Sequence, residues 1–178
     1  AMRERFALSD ADRLLAVTTI GFDIAALELY LPLISGGSVA VTAAETVKDV
    51  PALLGAVAAS GATLLQATPT LWQALLSHAG ETGDVAALAG LRMLVGGEAL
   101  SASLAQAMRA AGRQVDNLYG PTETTIWSAA LRLDGPPPGD AAADATAAGA
   151  VAPIGCPIWN TRVYVLDGGL GVLPSGVA

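Results

Sequence analysis

From residue 37 to residue 120 the chain alternates short apolar runs with helix-length stretches, and this alternation limits the fold more than any other feature. "GSVAVT" (37–42) is a β-branched run behind a glycine pair and reads as a strand. "VPALLGAVAASG" (50–61) has helical spacing and a closing glycine. "ATLLQAT" (62–68) is the next strand. Pro69 stands where a first helical turn tolerates proline and opens "TLWQALLSHAG", which the glycine at 80 should close. "LRMLVGG" (91–97) is another strand, "SASLAQAMRAAG" (101–112) a helix with a serine start and glycine stop, and "QVDNLYG" (114–120) a strand. Upstream, "FDIAALELYLPLIS" (22–35) reads as a helix after a turn. Short strands separated by helices of about 10–12 residues predict βαβ units around a parallel sheet, an α/β fold.

The pattern lapses after residue 133. "DGPPPGDAAADATAAGAVAP" (134–153) is Pro/Gly/Ala-rich without periodicity and predicts a surface loop. "NTRVYVLD" (160–167), with a "DG" turn behind it, predicts one more strand. No internal repeat is evident.

At 178 residues, 53% hydrophobic and 14% charged, the chain has ample material for a buried core, as one large domain or a domain with an appendage. No apolar run reaches the roughly 18 residues of a membrane span. "AMRERFALSD" lacks the apolar centre of a signal peptide. A single cysteine, Cys156, excludes an internal disulfide framework and fits a reducing compartment, so a cytoplasmic location is expected. A net charge of −7 with no Lys/Arg cluster argues against nucleic acid as a partner.

"NLYGPTETT" (117–125) runs from the end of a predicted strand through a Tyr-Gly-Pro turn into Thr-Glu-Thr-Thr. By itself this could be an ordinary strand-to-helix turn, with Thr122 as a cap and Glu123 favouring a helix N-terminus. The same residue types also suit phosphate chemistry. Mg²⁺ takes one or two protein carboxylates beside phosphates and water, and Glu123 offers one. Thr122 offers a hydroxyl to a phosphate oxygen.

Five stretches stand in one order: "GFDIAALELYLPLISGGSVAV" (21–41), "TPTLW" (68–72), "LVGGEAL" (94–100), "NLYGPTETTIWS" (117–128) and "PIGCPIWNTRVYVLD" (153–167). Together they resemble the amino-acid adenylation domains of nonribosomal peptide synthetases, in the adenylate-forming family, over nearly the whole chain. A YGPTE-like string alone would be less specific, because acyl-CoA ligases and luciferase-like enzymes carry relatives of it. The resemblance implies a flavodoxin-like parallel sheet flanked by helices, plus the first strands of a following β subdomain. The expected division is an α/β subdomain with the substrate pocket at 1–133, a loop at 134–153, and at 154–178 the start of a β-rich subdomain or strands packing back on the first.

Such domains also carry an upstream Ser/Thr/Gly-rich loop ending in Pro-Lys-Gly, a downstream Tyr-Arg-Thr-Gly-Asp stretch, and a C-terminal catalytic lysine. None of these lies in the 178 residues. The sequence is therefore expected to be a central piece, inactive alone. The reaction implied joins an amino acid and ATP to give aminoacyl-AMP and pyrophosphate. Transfer to the phosphopantetheine of a carrier protein then follows.

In this resemblance Thr122 and Glu123 are the catalytic pair, with Glu123 holding Mg²⁺. Gly97, Glu98, Asn117, Tyr119 and Gly120 line the nucleotide side, Tyr119 giving a flat face to adenine and Asn117 an amide for its exocyclic amine. Asp23 pairs with the substrate's α-ammonium, although it could also serve as the N-cap of the helix it precedes. The pocket positions map to Asp23, Ile24, Leu27, Gln66, Leu94, Gly96, Leu118, Ile126 and Trp127, a set similar to the family's glycine-selecting signature. Mid-sized and bulky side chains there leave little space beyond a substrate Cα, with alanine the next candidate because one methylene is worth only about 1–3 kcal/mol. For Leu94 and Leu118 a plain core role is the competing reading.

His78, Cys156, Trp72 and Trp159 are read as structural, and Arg132 and Arg162 have no visible anion partner. Two other functions stay open: another adenylate-forming ligase for acyl-CoA or aryl acids, which has no use for Asp23, and a non-catalytic α/β binding module.

Overall fold

The central apolar strands are buried on both faces, and the sheet they form is mostly parallel. The computed structural model describes residues 1–133, 150–174 and 176. In chain order its elements are α1 (Met2–Phe6), β1 (Arg13–Ala16), α2 (Ala25–Ile34), β2 (Ser38–Val41), α3 (Ala44–Lys48), α4 (Val50–Ser60) and β3 (Leu64–Ala67). There follow α5 (Pro69–Thr82), β4 (Arg92–Gly96), α6 (Ala102–Ala111), β5 (Gln114–Tyr119), β6 (Ala129–Arg132) and β7 (Cys156–Pro157). The sheet order is β2-β1-β3-β4-β5-β6-β7. The first five strands are parallel, and β6 and β7 join antiparallel.

Alternation along each strand sends neighbours to opposite faces. Leu15, Leu65, Met93, Val95 and Val115 pack with Leu53, Val57, Trp72, Leu75 and Met108 from α4, α5 and α6. Leu14, Leu64, Leu94 and Leu118 pack the other way, against Phe6 of α1 and Leu27 and Leu31 of α2. The α/β class read from the alternation is the observed one.

Local chemistry sets the helix ends. Asp49, Thr68 and Ser101 each accept a hydrogen bond from a first-turn N–H of α4, α5 and α6 (Ala52, Leu71 and Leu104). Gly61 stops α4 in a left-handed conformation. α5 does not stop at Gly80. It runs to Thr82 and ends on Gly83 at φ 83°, because that glycine, not Gly80, takes the left-handed cap.

Two expectations change. The helix read from residue 22 starts at Ala25, since residues 22–24 form a turn whose Phe22, Asp23 and Ile24 carbonyls accept from the N–H groups of Ala25, Ala26 and Leu27. Residues 160–167 form no strand. A single bridge, Leu166 to Val172, closes a turn in which the Asp167 carboxylate accepts from the N–H groups of Gly169 and Gly171, each at 2.8 Å. Val163, Tyr164 and Val165 remain exposed there, with no described strand beside them. β1, β6 and β7 carry no prediction from the sequence. Of the loop expected at 134–153, residues 134–149 lie outside the described residues. Residues 150–152 bond to Leu100 and Ala102 ahead of and within α6.

Candidate active site

The order β2-β1-β3-β4-β5 reverses direction between β1 and β3, and in such sheets ligands sit beyond the carboxyl ends of the strands. Residues singled out from sequence gather at those ends. Asp23 and Ile24 follow β1, Gln66 lies in β3, Leu94 and Gly96 in β4, and Asn117, Leu118 and Tyr119 in β5. On the face covered by α2, pairing sets Gln66 beside Leu94 and Gly96 beside Leu118. Leu27, Leu94, Leu118 and Trp127 are buried in one cluster, with Ile24 and Ile126 packed against it.

Glycine at 96 is a steric requirement. A β-carbon there would lie 2.5 Å from the Trp127 ring and 2.6 Å from the Leu118 carbonyl oxygen. Only glycine lets the indole descend onto β4. Trp127 is 3% exposed, yet its Nε1–H has no acceptor among the described residues. Gln66, 1% exposed, likewise leaves Oε1 without a donor. Asp23 is half-buried, and α2 has no side-chain cap, so the N-cap reading of Asp23 has no counterpart here.

The turn beyond β5 is strained. Thr122–Thr124 is one 3-10 turn, followed by Thr125 at φ 67° and Ile126 at φ 77°. Trp127 N–H reaches back to the Thr125 carbonyl at 3.0 Å, closing a three-residue turn around Ile126 of the rare positive-φ kind. Two successive β-branched residues in this region are costly and persist only where the surroundings hold them. Here Ser128 N–H bonds the Tyr119 carbonyl at 2.8 Å, and a β-carbon on Gly120 would meet the Ile126 oxygen at 2.3 Å. Thr122 and Glu123 are exposed, and no side-chain cap forms at this turn. The hydroxyl that bonds locally is that of Thr124, donating to the Pro121 carbonyl at 3.0 Å.

A cleft of about 340 Å³ lies beside the turn, lined by Gly97, Glu98, Asn117, Tyr119, Gly120 and Ile154 among others. Tyr119 keeps its ring half exposed to it. Two of these side chains have other duties. The Asn117 amide donates to the Pro153 carbonyl at 2.9 Å, tying the 150s segment to β5. Glu98 Oε2 accepts from the Thr70 hydroxyl at 2.6 Å and the Thr70 N–H at 3.2 Å, at the favourable positive end of α5. No cluster of three or more His, Cys, Asp or Glu side chains occurs among the described residues. A lone exposed carboxylate such as Glu123 suits a cation that draws its other ligands from phosphates and water.

One residue of this region escaped the sequence reading. Glu28 of α2 is 0% exposed, and its carboxylate accepts from Val17 N–H (2.9 Å), Thr18 N–H (3.0 Å), the Thr18 hydroxyl and Gln66 Nε2 (2.9 Å). The signal was available. Its helical neighbours Ile24, Leu27, Leu31 and Pro32 are all apolar, so a carboxylate there faces the interior.

An open α/β sheet with a cleft past its strand ends, bounded by glycine turns after β4 and β5, is the architecture of a nucleotide-binding domain. The chain belongs to the AMP-binding enzyme family, whose model matches residues 1–178. It is 50% identical to a dimodular nonribosomal peptide synthase of Bacillus subtilis over 99% of its own length, which is 7% of that protein. It superposes with a TM-score of 0.80 and 38% identity on a four-domain nonribosomal peptide synthetase bound to AMP and glycine, covering 99% of this chain and 12% of that one. The synthetase FmoA3 in its AMPPNP-bound form gives a TM-score of 0.82 at 30% identity, covering 96% of this chain and 18% of that one. The chain thus spans a small part of each relative. No helix among the described residues is long and apolar enough to cross a membrane.

Proposed function

We propose that this chain forms the amino-acid pocket and part of the nucleotide cleft of an adenylation domain that activates glycine, in a larger nonribosomal peptide synthetase. The observation that carries the reading is the Trp127–Gly96 contact. It fills the space beside Leu94 and Leu118 where a substrate side chain would extend. Likeness to a synthetase bound to AMP and glycine supports it. Residues 1–133 would hold the pocket, with 154–178 opening a following β-rich part or packing back on the first, as β7 does beside β6.

In the reaction a carboxylate oxygen of the amino acid attacks the α-phosphorus of ATP. A new P–O bond forms, the α–β anhydride bond breaks, and pyrophosphate leaves with the electron pair. This is mainly positioning and charge neutralisation. Asp23 binds the α-ammonium and fixes the carboxylate's approach. Ile24, Leu27, Gln66, Leu94, Leu118, Ile126 and Trp127 enclose the substrate and keep water out. Tyr119 stacks adenine over the glycine turns at Gly97 and Gly120, while Asn117 and Glu98 brace the cleft walls. Thr122 donates to an α-phosphate oxygen. Mg²⁺, when bound by Glu123 together with the phosphates, would offset the charge of the departing pyrophosphate. The aminoacyl group then passes to the phosphopantetheine thiol of a carrier protein.

The test is amino-acid-dependent pyrophosphate exchange by the intact parent domain across a panel of amino and aryl acids. Glycine should lead, with alanine next. A lead for a bulky amino acid or an aryl acid overturns the assignment.

A further inference from the structure

Glu28 is a wholly buried carboxylate for which the reaction above has no use. Every contact it makes comes from a donor, and no arginine or lysine pairs with it among the described residues. Two of those donors are backbone N–H groups at the carboxyl end of β1, so Glu28 sews α2 to that strand end. The fourth donor reaches across to β3. Gln66 Nε2 lies 2.9 Å from Glu28 Oε1 and 2.9 Å from the Ile24 carbonyl oxygen. Both are acceptors only. Turning the amide over would set Gln66 Oε1 against two oxygens at once. The Gln66 amide therefore has one permitted orientation, with its nitrogen spent on Glu28 and Ile24 and its oxygen left over.

That oxygen is buried and has no partner among the described residues. An unmet buried acceptor is costly, so it points to a donor supplied by something that binds. It sits on the same sheet face as Leu94 and Gly96, tied to the residue that follows Asp23. Glycine carries one donor group only, its ammonium.

We propose that Glu28 is a positioning residue for amino-acid recognition. It locks Gln66 with its carbonyl oxygen presented to the substrate's ammonium, alongside Asp23. The inference rests on the amino-acid-activating reading, and it adds a residue that touches no substrate. A carboxylate accepting from Nε2 also polarises the amide and makes Oε1 the stronger acceptor. In Glu28→Gln the new amide must confront either the β1 donors or Gln66 Nε2 with a donor of its own, and the Gln66 orientation is no longer dictated.

The experiment is a double-mutant cycle in the complete adenylation domain, reading KM and kcat in pyrophosphate exchange together with melting temperature. Glu28→Gln should raise the KM for glycine about tenfold with kcat held within about threefold, the size expected for one lost charge-assisted bond. Gln66→Met should do the same, and adding Glu28→Gln to it should raise KM by less than about twofold, because the two act through one contact. Independent, multiplying effects overturn the proposal. So does a fall in kcat or melting temperature with KM unchanged, the mark of a purely structural glutamate. Should Glu28→Gln not fold, Thr18→Val removes one hydrogen bond from the same carboxylate oxygen. It should raise KM about threefold in the parent and leave it unchanged beside Gln66→Met; an unchanged parent KM overturns the idea. A parent domain that prefers another amino acid sinks the glycine assignment instead, and the same cycle run with that amino acid still decides on Glu28.

Discussion

Gly96 has no room for a side chain because Trp127 and the Leu118 carbonyl occupy it, and under the proposed glycine-activating function this contact would tie selectivity to stability. Gly96→Ala should push the indole outward and cost about 1–3 kcal/mol, the usual penalty for overpacking. A lower denaturant midpoint at unchanged m-value is the signature to look for. The opposite change should alter selectivity. Trp127→Ala or Leu27→Ala in the complete domain should open the pocket and extend pyrophosphate exchange to alanine and larger amino acids. Exchange still confined to glycine in both variants would count against the pocket as drawn. Nearby, Thr125 holds φ 67° with a β-branched side chain. Thr125→Gly should relieve about 1 kcal/mol of that strain, partly offset by the freedom glycine gains when unfolded. A fall in melting temperature would show that the Thr125 side chain contributes more than its backbone costs.

Between elements, the amino ends of the central strands are stitched by Asp12, which precedes β1. Its carboxylate accepts from Ser9 N–H (2.8 Å), the Thr63 hydroxyl (3.0 Å) and Arg92 (2.8 Å), joining the starts of β1, β3 and β4. Partial burial raises its pKa, but the Ser9 and Thr63 hydrogen bonds and the Arg92 charge outweigh that, and the net shift is downward. A carboxyl depressed in the folded state stabilises above its unfolded pKa, about 3.9, and loses that contribution as pH falls through the lower folded value. Asp12→Asn should therefore cost about 1–3 kcal/mol at pH 7, with the gap to the parent closing below about pH 4. Chemical denaturation at several pH values reads this directly, and a gap constant down to pH 3 would rule the network out as its source. Asp12 also shows what a sequence hides. The strands at 37–42, 62–68, 91–97 and 114–120 were legible because apolar runs stood between glycines and capping residues. β1 was not, since "RLLA" owes its place to partners 25 and 50 residues away, Ser38 and Thr63. Around the candidate site, the glycine turns after β4 and β5 could be read because their chemistry is local. The role of Glu28 could not, because it depends on β1 and β3 arriving together beneath α2.

At the scale of the molecule, the two faces of the sheet are covered unequally. α4, α5 and α6 shield one face, whereas among the described helices only α1 and α2 lie on the other, with Trp127 and Ile158 packed beside them. The outer side of α2 leaves Tyr30, Leu33 and Ile34 exposed, with Ile20 and Phe22 in the turn before it. Leu33 is 61% and Ile34 59% exposed, well above what an apolar side chain on a solvated helix needs. A contiguous apolar surface of this kind drives association when nothing covers it. The 178-residue chain should therefore self-associate with concentration, and sedimentation velocity across a hundredfold dilution series will show it. Leu33→Lys with Ile34→Lys should shift the distribution toward monomer without lowering the melting temperature, because neither side chain belongs to the core clusters. Association that persists in the double variant would move its source to the exposed run at Val163, Tyr164 and Val165, where Tyr164→Glu makes the same measurement decisive.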